Sequence, residues 1–115
     1  MAEKANATIL ELMEIANKNA KSKGWWNDES KTFADVAALL HSEISEAFEE
    51  YRNGHGVREI YWNGSKPEGI PIELADELIR IFDVCKQWKI PIVEALRVKM
   101  NYNQTRPYRH GGKKL

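Results

Sequence analysis

Apolar positions recur at helical spacing along four stretches of the chain, and polar residues with Gly and Pro separate them. The first stretch runs from about Ala5 to Lys23, with Ile9, Met13, Ala16 and Ala20 on one face and Gly24 as its stop. The second runs from about Lys31 to Arg52. Its stripe is Phe33, Val36, Ala37, Leu40, Ile44, Ala47, Phe48 and Tyr51. Thr32 can cap this helix, with Asp35 where a capping box places its acid. Asn53-Gly54 stops it. Residues His55 to Ile70 hold three glycines and Pro67 and read as a long loop. No strand-like alternation of useful length is present. Pro71 and Pro91 open a third helix, to about Lys89, and a fourth, to about Thr105. The expectation is an all-α fold with helices packed antiparallel where loops are short.

The third stretch is apolar around a wide arc, including Leu74, Leu78, Ile81, Phe82, Cys85 and Trp88, so burial on more than one side is expected. Cys85 reads as an inert buried thiol. As the lone cysteine it excludes an internal disulfide. A chain of 115 residues fits one domain, residues 1–115, with a basic tail over residues 106–115. Lys plus Arg and Asp plus Glu number 17 each, so zero net charge gives no long-range field for nucleic acid or an acidic membrane. The N-terminal residues carry acids and no unbroken apolar run, and no segment approaches the ~20 apolar residues of a membrane span. A cytoplasmic location is expected.

The informative chemistry is acidic. Glu43, Glu46 and Glu50 lie three and four apart and border the apolar stripe of the second helix. Glu73, Asp76, Arg80 and Asp83 form a matching stripe on the third. Carboxylates converging between two helices repel one another unless a cation sits among them. An all-carboxylate donor set suits magnesium or manganese rather than zinc or copper. A single Glu-x-x-Glu is usually surface charge, the reading given to Glu49 and Glu77. Two acid pairs beside apolar stripes on consecutive helices fit that reading poorly. A di-iron bundle is disfavoured, since no Glu is followed three residues later by His. His41 reads as a packing residue.

On the fourth helix, Lys99, Asn103 and Arg106 share a face with Ile92, Ala95 and Leu96. The face turns from apolar to cationic while pointing inward, as phosphate oxygens require. Trp25 and Trp26 can stack on a base, and at least one of them is expected to be a core anchor instead.

Glu43-x-x-Glu46, a 26-residue gap, then Glu73-x-x-Asp76 resembles the signature of MazG-type all-α nucleoside triphosphate pyrophosphohydrolases. The segments around these acids, and Lys99-x-x-x-Asn103-x-x-Arg106 with the residues to Gly112, are similar to its short phage and integron-borne members. The resemblance implies a bundle of four to five helices that assembles as homodimers or homotetramers. It implies Mg2+, with Mn2+ as a substitute, held by Glu43, Glu46, Glu73 and Asp76. Lys99, Asn103, Arg106 and Tyr108 would contact the triphosphate, and Trp25-Trp26 would line the base pocket. The expected reaction converts a nucleoside triphosphate to monophosphate and pyrophosphate by attack of a metal-activated water at the α-phosphorus, with Glu46 or Glu50 orienting that water.

Two other classes compete. One is a non-catalytic oligomeric interaction or regulatory module, which needs no magnesium. The other is a basic-tailed nucleic-acid binder, for which a short tail on a neutral body is weak ground, so no nucleic acid is expected.

Overall fold

The computed structural model describes residues 7–108. It is mostly helical: α1 (Ile9–Ser22), α2 (Phe33–Arg52), α3 (Ile70–Gln87) and α4 (Ile92–Thr105), with a two-stranded sheet, β1 (Tyr61–Asn63) and β2 (Lys66–Glu68), between α2 and α3. Helix α1 begins later than its apolar spacing suggests. Thr8 caps it, its hydroxyl accepting from the Glu11 N–H at 3.1 Å while Glu11 accepts the Thr8 N–H at 2.9 Å. The expected start at Ala5 and the basic tail beyond Tyr108 lie outside the described residues. At α2 the Asp35 carboxylate accepts the Thr32 N–H at 2.7 Å, as the Thr32/Asp35 pairing predicts. Pro91 is the N-cap of α4, as expected of a break there.

Helix α3 is the shared element, with α1 packed on one side and α2 on another. Met13, Val36, Val84 and Cys85 form the core, flanked by Leu40, Phe82 and Trp88. A polar knot ties α1 to α3. Buried Asn17 donates to Asp83 at 2.8 Å and to Gln87 at 3.0 Å, and the Trp26 indole N–H donates to the same Asp83 oxygen at 2.9 Å. These bonds satisfy an amide that would otherwise be buried at a cost.

The segment expected to be a loop contains a hairpin. Tyr61 pairs with Glu68, Trp62 with Pro67 and Asn63 with Lys66, antiparallel. Gly64-Ser65 is its two-residue turn, with Gly64 at φ 65°, the placement a II′ turn favours. Gly69 leads into α3 at φ 123°, where a Cβ would run into the Glu59 carbonyl oxygen.

Three packing expectations need correction. The α2 stripe divides: Val36, Leu40, Glu43 and Ala47 turn inward, whereas Phe33, Ile44, Phe48 and Tyr51 are exposed. On α3, Leu74 and Leu78 are likewise open, so the wide arc is not fully covered. Helix α4 buries no residue: of its expected inward face Ile92 packs against the core, whereas Ala95 and Leu96 are exposed. Among single residues, His41 is exposed rather than packed. Glu77 is half-buried, its Oε1 shielded and without a hydrogen-bond partner among the described residues, so it is not a plain surface charge. Glu49 is exposed, as expected of a surface charge, and pairs with Arg52. No described helix is long and apolar enough to cross a membrane.

Candidate functional site

The acids meet because α2 turns its carboxylate edge toward α3. Glu43 lies one turn from Ala47 on the inward stripe and is only 4% exposed. Glu73 and Asp76 stand on the first two turns of α3, half-buried. One carboxylate oxygen from each of Glu43, Glu73 and Asp76 lies within 4.8 Å of the others. These residues line an open cleft of about 310 Å³, with Glu46, Glu50, Lys66, Glu68 and Arg80 among the other walls. Six carboxylates face two cations there, a formal excess of four negative charges.

The electrostatics follow from that crowding. Burial pushes the Glu73 carboxyl above the usual carboxylate range, reinforced by the charges of Glu46, Asp76, Glu43 and Glu50. Burial and then Glu43 push Asp76 the same way, against the pull of Arg80 and Lys66. Both groups would hold their charge more easily beside an added cation. The donors are all oxygen, hard, and close enough to share one ion, which fits Mg2+ or Mn2+.

Among the described residues, Glu43 has one neutralising partner. The Arg80 Nε donates to its Oε1 at 2.6 Å. The other side of Arg80 faces Trp25, with the guanidinium carbon 4.8 Å from the ring centroid. Glu50 is engaged by the hairpin instead. The Tyr61 hydroxyl donates to both of its oxygens, at 2.8 and 3.0 Å, and the His55 Nε2 lies 3.6 Å away. That bond holds the phenol protonated, its pKa pushed up to about 12. His55 stacks on Tyr61 with centroids 4.3 Å apart, which fixes the pair.

Of the four acids expected to hold metal, Glu43, Glu73 and Asp76 converge, and exposed Glu46 lines the same cleft. The expected phosphate contacts are elsewhere. Lys99 and Arg106 lie over the Tyr102 ring of α4, at 5.2 and 5.7 Å, while Asn103 and Tyr108 are exposed. None of the four lines the acid cleft. The two tryptophans part company. Trp26 is a core anchor, bonded to Asp83 and edge-on to Trp88 at 5.6 Å. Trp25 does not line the acid cleft but two neighbouring hollows that it shares with Arg80, its ring met by Lys31 and Arg80.

Sequence spacing puts Arg80 on the acid stripe without giving it a role, although its place one turn after Asp76 is an available signal. Tyr61, Lys66 and Glu68 escape the sequence reading because strands this short look like loop. Gly64-Ser65 between Tyr61-Trp62-Asn63 and Lys66-Pro67-Glu68 is the signal there. Scans against family models, curated proteins and solved structures find no match to this chain.

Proposed function

We propose that the cleft between α2 and α3 is the active site of a magnesium-dependent nucleoside triphosphate pyrophosphohydrolase of the MazG-like kind. The observation that carries this reading is the convergence of Glu43, Glu73 and Asp76 within 4.8 Å, in a cleft with four unbalanced negative charges. Such an arrangement is costly to keep for packing alone. Glu43, Glu73, Asp76 and Glu46 would hold Mg2+, or Mn2+ in its place. When bound, the ion offsets charge on the phosphate chain and makes a coordinated water more acidic.

The chain's own residues supply the rest. Glu46 is exposed in the cleft, whereas Glu50 is held by Tyr61. Glu46 is therefore the better candidate to orient the attacking water and accept its proton. In the overall reaction the water oxygen bonds to the α-phosphorus. The bond from that phosphorus to the α–β bridging oxygen breaks, and pyrophosphate leaves with the electron pair.

The exposed apolar residues of α2, α3 and α4 support assembly as a homodimer or homotetramer. Within one protomer Lys99, Asn103, Arg106 and Tyr108 stand away from the cleft, so their contact with a triphosphate would be made from a second copy. A cytoplasmic enzyme on free nucleotides follows from this reading. A non-catalytic oligomeric module would explain the exposed apolar faces equally well, but not the converging carboxylates.

The test is pyrophosphate release from a panel of ribo- and deoxyribonucleoside triphosphates, with and without magnesium, beside a Glu46→Gln variant. Expected is magnesium-dependent conversion to monophosphate and pyrophosphate, reduced at least about 100-fold in the variant. No release from any triphosphate by folded protein supplied with magnesium would leave the interaction module.

A further inference from the structure

Arg80 is placed more deliberately than charge balance requires. A guanidinium that only neutralised Glu43 would be expected to pair through two parallel N–H donors. Here the bond uses Nε alone, at 2.6 Å. The terminal nitrogens carry four further N–H donors, and the side chain, 28% exposed, lines the cleft. Its position is fixed from two directions. Buried Glu43 grips the Nε edge, and Trp25 lies against the guanidinium, 4.8 Å from carbon to ring centroid. Trp25 is itself held, because Lys31 donates to its backbone carbonyl at 2.9 Å and approaches its ring at 4.7 Å. Arg80 also borders a second hollow of about 160 Å³, shared with Trp25, Asp76 and Asp83.

We infer that Arg80 is a phosphate-binding residue of the cleft, its free fork presented to the anionic chain, and that Trp25 is the positioning residue that holds it there. This rests on the proposed phosphate chemistry of the same cleft. It moves the anion-binding role, within one protomer, from α4 to α3. It also gives Trp25 a task other than stacking on a base. A fork locked in place loses little freedom on meeting phosphate, and Arg suits two-point contact as Lys does not.

The probe is inorganic pyrophosphate, with binding followed by calorimetry at saturating magnesium. Arg80→Gln is expected to weaken binding roughly 10- to 100-fold. That variant leaves buried Glu43 without its partner, so Arg80→Lys is measured beside it, with folding of both followed by circular dichroism. Glu43 takes a single donor from this position, which an ammonium can also supply. Arg80→Lys is therefore expected to fold and still bind pyrophosphate about 10-fold more weakly. Trp25→Leu is expected to raise KM for every triphosphate by a similar factor and Trp25→Phe to restore it. Wild-type binding with Arg80→Lys unchanged within twofold overturns the role of the fork. A Trp25→Leu effect confined to particular bases overturns the positioning role. Wild-type protein that neither binds pyrophosphate nor releases it from a triphosphate sinks the parent reading, and the inference with it.

Discussion

At the scale of single residues, the site is a set of carboxylates kept in an unfavourable place. Glu73 and Asp76 have folded-state pKa values raised above their ordinary 4.5 and 3.8. Each therefore contributes stability that is fully present below its ordinary value and is lost as pH rises through the folded value. Without divalent metal, the melting temperature should accordingly carry a falling component as pH is raised from about 4 toward neutrality. Added magnesium should raise melting at about pH 7 by several degrees and hardly at all at about pH 4, where the ligands bind protons instead. Equal stabilisation at both values would speak against a carboxylate site. Gly69 makes a different residue-scale demand. Its φ of 123° and the Glu59 carbonyl in the path of any Cβ leave no room for alanine. Gly69→Ala should cost about 1–3 kcal/mol in chemical denaturation, because the backbone at Glu59 and Ile60 or the start of α3 must shift.

At the scale of elements, the four helices are legible because their signals are local and redundant. Thr32 with Asp35, Asn53-Gly54 and Pro91 each mark an end by hydrogen bonding or by steric exclusion, whatever the rest of the chain does. The hairpin is not legible by periodicity. Its strands are three residues long, one contains Pro67, and three positions cannot establish alternation. Only the turn dipeptide announces it. The acid pairs are legible for the same reason as the helices, since Glu43/Glu46 and Glu73/Asp76 are fixed by i,i+3 spacing. Pattern does not say which cleft the α4 cations serve, because spacing gives the face of a helix and not what that face meets. Arg80 is the reverse case. Its face is evident, but its role depends on Trp25, a residue 55 positions earlier in the chain.

At the scale of the whole molecule, exposed apolar surface is the unexplained quantity. Phe33 is 62% exposed, Phe48 60% and Leu78 52%, and α4 shields none of them fully. Single exposed apolar residues are ordinary, but runs of them along two adjacent helices are the kind of surface that the proposed assembly would cover. Phe48→Glu should therefore shift the protein from dimer or tetramer to a smaller species in sedimentation or light scattering. Magnesium-dependent turnover should fall in parallel if α4 serves the cleft of a neighbouring copy. A wild-type monomer in solution would remove that expectation. None of this is accessible from pattern alone. A stripe such as Phe33, Ala37, Ile44, Phe48, Tyr51 looks the same whether it faces its own core or another molecule.

The Asn17–Asp83 bond spans 66 positions, and α1 has its principal partner in α3 rather than in α2. During synthesis the first helix therefore emerges well before the surface it belongs against. Until α3 is made, Met13 and Ala16 have nothing durable to cover them. The second and third helices, joined by a hairpin that already has its own turn, can close on each other first. The long-range step is then the return of the first helix, and by its sequence separation it should slow folding more than the formation of any single helix does.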